Sequence, residues 1–219
     1  MPMLQPLWLT LKVALLATLV SGVAGIAVGR LMARRRFAGR ETLDALLMLP
    51  MVLPPTVLGY YLIVLLGRHG ALGHWLDAWF GIELLFTWQG AVIAAAIVCF
   101  PLIYKAARAA FEEGDARLAQ AARTLGAGEW EVFWRISLPL ALRGIAAGMA
   151  LTFARAMGEF GATLMVAGNL PGRTQTLSVA VYSAVQAGED RLALTLTLVI
   201  SVLCIALLVL ASRLLQARH

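Results

Sequence analysis

An all-α integral membrane protein with five transmembrane helices is the fold class this sequence predicts. Three observations carry that reading. The 219 residues are 61% hydrophobic and 14% charged, whereas a soluble domain has roughly 45–50% apolar and about 25% charged residues. Mean hydropathy is +0.83. Five runs approach the ~20 apolar residues that a helix needs to cross a hydrocarbon layer of about 30 Å. This balance argues against disorder and against a soluble globular enzyme.

The predicted spans cover 7–29, 43–66, 84–104, 144–166 and 192–210 of one transmembrane domain, 1–219. The first reads as a retained helix, not a removable signal peptide. It lacks a basic n-region, its apolar core is long, and an arginine cluster follows it as a stop-transfer signal. Gly25 and Gly29 in this span, like Gly144 and Gly148 in the fourth, are small residues four apart that let helices approach closely. They serve either a subunit contact or, the favoured reading, packing within one subunit.

The second span is interrupted by Pro50, Pro54 and Pro55. Each proline removes an amide donor and clashes with the carbonyl four residues back, so the helix should kink or unwind. Unwound backbone within a membrane survives only where protein or a watery cavity covers it. A cavity-lining break and a plain kink are both open. Pro101 in the third span is a weaker case, and Cys99 there, like Cys204 in the fifth, reads as a small buried hydrophobe.

The fourth span carries Arg155 and Glu159, four apart on one helix face and able to pair. Charges within a bilayer are costly and face the bundle interior or a hydrated path. Cation before anion is the weaker order for such a pair, so further partners are expected. Gly158 and Gly161, flanking Glu159 and Phe160, weaken the helix there. A path or gate role and a buried structural pair are the two readings. Before the fifth span, 174–188 reads as an amphipathic helix. Leu177, Val181, Ala184 and Val185 lie on one face, and Gln175, Ser178, Tyr182 and Gln186 on another.

The net charge of +6 comes from 18 Lys+Arg against 12 Asp+Glu. Thirteen of the cations, Arg36 and Arg218 among them, fall in 30–40, 105–143 and the C-terminal tail. Arg68, Arg173 and Arg191 fall on the opposite side, and Lys12 and Arg155 within spans. The positive-inside rule then places the N-terminus outside and the C-terminus in the cytoplasm. Topology accounts for the charge, and no basic stripe with interleaved aromatics points to nucleic acid. His69, His74 and His219 show no metal-ligand spacing, so no metal is expected.

The stretch 105–143 is too structured for a linker. Asp115 is placed to cap a helix running to about Leu125. Gly126 and Gly128 stop it by taking left-handed conformations. A short helix with Trp130, Phe133 and Trp134 follows, and Pro139 marks entry into the next one.

Gln120-Ala121-Ala122, three residues, Gly126, nine residues, then Ile136-Ser137-Leu138-Pro139 resembles the EAA loop of ABC importer permeases, with Gln120 in place of the leading Glu. The segments Gln120 to Gly128 (with Arg123, Thr124, Leu125 and Ala127), 158–163, 168–176 and 49–60 resemble molybdate permeases more closely. Sulfate/thiosulfate permeases share the Gly-Glu-Phe-Gly signature, and tungstate is a further substrate alternative. The resemblance implies a type I (MetI-like) permease fold in a bacterial inner membrane. It implies a homodimeric pathway, two ATPase subunits docked on the helix around 119–126, and an external oxyanion-binding protein. ATP and Mg would then belong to the ATPase, with no cofactor in this chain. In agreement, the sequence has no Gly-x4-Gly-Lys-Ser/Thr phosphate loop. Two other classes fare worse. An ion-coupled secondary transporter should show repeated halves, and none is evident. An intramembrane hydrolase needs a nucleophile and base on facing helices, but no histidine lies in a span.

Overall fold

A computed structural model describes residues 4–35, 37–114 and 116–216. Arg36, Asp115, Arg218 and His219, which figure in the sequence reading, lie outside the described residues. Eleven α-helices and one π-helical turn make up the regular structure among those residues: α1 (Leu4–Arg34), α2 (Arg40–Val52), α3 (Pro55–Leu66), α4 (Ala71–Phe80), α5 (Trp88–Glu113), α6 (Ala116–Thr124), α7 (Glu129–Val132), the π turn (Phe133–Ser137), α8 (Leu138–Met157), α9 (Gly161–Ala167), α10 (Leu177–Gln186) and α11 (Asp190–Gln216).

Four helical stretches are long and apolar enough to cross a membrane, and five if α2 and α3 count as one bent crossing. The axis of the bundle is α5. In its most apolar stretch 67% of residues are buried, against 11% in α11. The two small-residue motifs explain how neighbours reach it. A Cβ on Gly25 would lie 2.7 Å from Ile103 Cγ2, and one on Gly29 2.9 Å from the Arg108 nitrogen. On α8, a Cβ on Gly144 would meet Ala110 Cβ at 2.7 Å, and one on Gly148 would meet Ala106 Cβ at 2.5 Å. Both motifs are therefore spent on α5, within the chain.

Bulk at these contacts must push the helices apart. Gly148→Leu is expected to destabilise the chain by about 1–3 kcal/mol through overpacking. A lowered thermal midpoint in detergent checks this, and an unchanged midpoint would mean that α5 and α8 do not pack so closely.

The spans differ from the sequence expectation in ways that have local causes. Span 2 is not one helix: α2 and α3 meet at 107°. Pro50 is accommodated inside α2, and the break falls at Leu53 and Pro54, both extended, with ψ 142° and 136°. Each precedes a proline, whose ring disfavours helical backbone in the residue before it. Pro55 then starts α3, where a missing amide costs nothing. Span 3 begins later than expected, because Thr87 caps α5 by accepting a hydrogen bond from the Gly90 amide at 3.2 Å. It also continues to Glu113, so residues 105–113 are helix rather than loop. Span 4 is the largest correction. Its helix starts at Leu138 and stops at Met157, and only after a three-residue break does α9 follow.

Pro139 marks the entry into α8, as expected, in its first turn. It follows a continuous helical run in which the Leu138 amide reaches back to the Phe133 carbonyl, five residues away. A π turn is a local way to carry a helix past a residue that lacks an amide and crowds the carbonyl four back.

Outside the spans, 71–80 forms α4, a short helix the sequence reading missed. The amphipathic helix before span 5 is α10, shorter than expected, with Leu177, Val179, Ala180 and Ala184 buried and Val185 exposed. Its start is tethered to α1 by Thr10, whose hydroxyl donates to the Pro6 carbonyl at 2.7 Å and accepts from the Leu177 amide at 2.8 Å.

Candidate functional site: a paired helix break and a capped surface helix

Two groups of residues stand out, at the two ends of α8. The first is the break between α8 and α9. Gly158 ends α8 with φ −89° and ψ 6°, and Phe160 precedes α9 with φ −130° and ψ −62°. Between them lies Glu159, 3% exposed. Its Oε2 accepts from Arg155 Nη1 at 2.9 Å, and its Oε1 accepts from the Ala162 amide at 3.1 Å. The pair forms although the two residues no longer share a helix. The further partner expected for Glu159 is the backbone of α9, whose first amides have no partner within their own helix. The Arg155 side chain is 40% exposed, so this charge has one buried end and one open face.

Other elements close the break. Ser178 donates to the Met157 carbonyl at 3.4 Å, and the Phe160 ring packs on Tyr182 of α10 with centroids 5.1 Å apart. Across from it stands the other broken span. A Cβ on Gly161 would lie 2.6 Å from Pro55 Cβ, and one on Gly59 would lie 2.6 Å from Met165 Cβ. Thus Pro54 and Pro55, Gly158 and Gly161, and the Arg155–Glu159 pair gather at one place, where two interrupted helices lie side by side. Irregular backbone flanked by a buried charge is an arrangement membrane proteins keep where protein or a cavity covers it.

The second group is the surface segment after α5. Gln120, Ala121, Ala122, Arg123 and Thr124 lie on α6. The turn beyond is a Schellman cap. The Gly126 amide donates to the Arg123 carbonyl and the Ala127 amide to the Ala122 carbonyl, both at 3.0 Å. Gly126 has φ +90° and nothing within 4 Å of where a Cβ would stand. Gly128 differs from expectation: it is extended (φ −69°, ψ 158°) and precedes α7. Leu125, 88% exposed, and the exposed Trp130 and Trp134 stand around this turn. Ile136 lies in the π turn. Leu138 packs with Ile103, Ala107, Ala141 and Ile145, and Pro139 sits in the first turn of α8. The segment is therefore joined directly to α8, whose 20 residues span about 30 Å at the helical rise.

Salt links hold this segment to the bundle. Glu129 accepts from Arg123 Nε at 2.5 Å and from Arg34 Nη1 at 2.6 Å, and Arg34 also donates to Ser137 Oγ at 3.3 Å. Beside it is a network the sequence reading missed. Asp44 of α2 accepts from Tyr104 Oη at 2.5 Å, Lys105 Nζ at 2.7 Å and Arg108 Nη1 at 2.7 Å. Glu112 accepts from Arg40 at 2.6 Å and Arg108 at 2.9 Å. A lone carboxylate at the start of an apolar run, with cations clustered at the end of another, was the available signal. Among the described residues no cluster of histidine, cysteine or acidic side chains could hold a metal ion.

This architecture has known counterparts. Residues 25–219 match the family described as binding-protein-dependent transport system inner membrane component. The chain belongs to that family and is a multi-pass membrane permease subunit of the ABC importer class.

Among particular relatives, it is 48% identical over 210 residues to the molybdenum transport system permease protein ModB of Escherichia coli (strain K12), spanning 95% of this chain and 92% of that one. It is 47% identical over 178 residues to ModB of Haemophilus influenzae, spanning 81% and 78%. It is 35% identical over 204 residues to the sulfate transport system permease protein CysW of Synechocystis sp., spanning 93% and 74%. Among solved structures, a chain of the inward-facing MetNI methionine ABC transporter superposes with a TM-score of 0.77 at 19% identity, covering 99% of this chain and 95% of that one. A chain of a bacterial ABC transporter that imports the acidic polysaccharide alginate superposes at 0.73 and 16%, covering 98% and 79%. These similarities establish the MetI-like fold.

Proposed function

We propose that this chain is the membrane subunit of an ATP-driven importer of molybdate, acting as a homodimer. The observation that carries the substrate is the 48% identity over 95% of the chain to a molybdenum permease, against 35% to a sulfate permease. In this reading the N-terminus is outside and the C-terminus in the cytoplasm, as the arginine distribution favours. An external binding protein delivers the oxyanion. Two ATPase subunits dock on α6 and its exposed apolar surroundings. Closure of the ATPase pair moves α6, and α8 carries that motion to the break at Glu159. ATP biases the states only through its different affinity for them. Gly126 and the pair of Arg123 with Glu129 keep α6 rigid, so it can act as a lever.

The break formed by Pro54, Pro55, Gly158, Glu159, Phe160 and Gly161 forms part of the path or gate. Selectivity lies mainly in the binding protein, because an ion held tightly along the path would not leave it. The test is uptake of molybdate, tungstate and sulfate into proteoliposomes holding the complete transporter with its own binding protein. ATP-dependent molybdate uptake is expected to exceed sulfate uptake. Preference for sulfate would reverse the substrate assignment, and uptake driven by an ion gradient without ATPase would overturn the class.

A further inference from the structure

A cleft of about 850 Å³ opens between the ends of α1, α2, α5 and α6. Its walls carry four arginines, Arg34, Arg40, Arg108 and Arg123, and two carboxylates, Glu112 and Glu129. Among the described residues of these walls the cations outnumber the anions by two. Gln120 lies on the same wall and contributes a neutral amide. The guanidiniums are pre-positioned. Arg34 and Arg123 are held by Glu129, and Arg40 and Arg108 by Glu112. Arg40 also has a buried Nε with no hydrogen-bond partner.

We infer that this cleft binds a tetrahedral oxyanion group, supplied either by a free inorganic dianion or by the phosphate of an anionic lipid headgroup. The forked donors of arginine match such oxygens in geometry, and low hydration makes guanidinium suited to a partly enclosed site. The excess charge matches a dianion or two headgroup phosphates. Because the four arginines come from the ends of four different helices, a bound anion would tie α6 to the bundle. The site does not depend on which ion the protein transports.

The test uses the full chain in nanodiscs of neutral phosphatidylcholine, titrated calorimetrically with sulfate at low ionic strength. Saturable binding is expected, weakened about tenfold by Arg40→Gln, the size expected for one lost charge-assisted hydrogen bond. Gln120→Glu should weaken it too, by adding a carboxylate to the wall, whereas Arg155→Gln, at the helix break, should not. Arg40→Lys keeps the charge and covers the case in which Arg40→Gln fails to fold. It should give intermediate affinity. In a second arm, nanodiscs containing phosphatidylglycerol are examined by native mass spectrometry. A lipid retained by the wild type and lost in Arg40→Gln assigns the site to a headgroup, while sulfate binding in neutral discs assigns it to a free oxyanion. If neither ligand distinguishes the wild type from the Arg40 and Gln120 variants, the inference is overturned.

Discussion

Replacing Glu159 with glutamine is expected to reduce ATP-driven uptake by at least about tenfold while the complex still assembles. The side chain is nearly isosteric, so it still fills its buried place and offers one oxygen to the Ala162 amide. What it loses is the charge facing Arg155 at 2.9 Å. Removing one partner of a fully buried ion pair costs about 3–5 kcal/mol. Arg155 is 40% exposed, and solvent screening lowers that to about 1–2 kcal/mol. If this difference falls between the states of the break, about 1.4 kcal/mol corresponds to a factor of ten in rate. Glu159→Asp should also be impaired, because the shorter side chain cannot reach both Arg155 and Ala162 without moving the backbone. Uptake is measured beside the amount of permease that co-purifies with its ATPase. Wild-type uptake in an intact Glu159→Gln complex would reduce the pair to packing.

The second large effect is expected at Gly126. Its φ of +90° is a conformation that costs a residue with a Cβ about 1–2 kcal/mol, and more if β-branched. No neighbour stands within 4 Å of the missing Cβ, so Gly126→Val acts through the backbone, not through a clash. The Schellman hydrogen bonds to the Ala122 and Arg123 carbonyls would break, and α6 would leave its angle to α7. The variant should insert into the membrane normally. ATP hydrolysis should lose its link to uptake, or the ATPase should dissociate. Gly126→Asn is the control, since asparagine tolerates positive φ, and it should recover part of the coupling. Coupled uptake in Gly126→Val equal to wild type would refute the lever role of α6.

Several features were readable from residues alone because they rest on local chemistry. Hydropathy located α1, α5 and α11, since a run of apolar side chains needs no partner to be recognised. The glycine stop after Thr124 was legible for the same reason: a cap is made within one turn. The proline cluster announced a break in span 2. Other features were not legible. Averaged hydropathy passes over 158–160, so the fourth span read as continuous. In the structure Glu159 caps α9 and ends that continuity. The network around Asp44 is not visible in the sequence, because Tyr104, Lys105 and Arg108, the groups that hold it, lie on another helix. On α10 the expected face holds for Leu177, Val181 and Ala184, while Val185 is exposed and Val179 and Ala180 are buried by the surrounding bundle.

By itself the sequence determined that this chain lives in a membrane, roughly where it crosses, and which stretch has the pattern of a coupling segment. The first two follow from short-range rules of transfer free energy and span length; the third rests on the resemblance of Gln120 to Pro139 to the EAA loop. Only the tertiary structure decided what the small-residue motifs touch, that both broken spans meet at Gly161 and Pro55, and that four arginines distant in sequence share one cleft with two carboxylates. Those outcomes depend on which helix faces reach α5, and that choice is made by packing between segments that no local window contains.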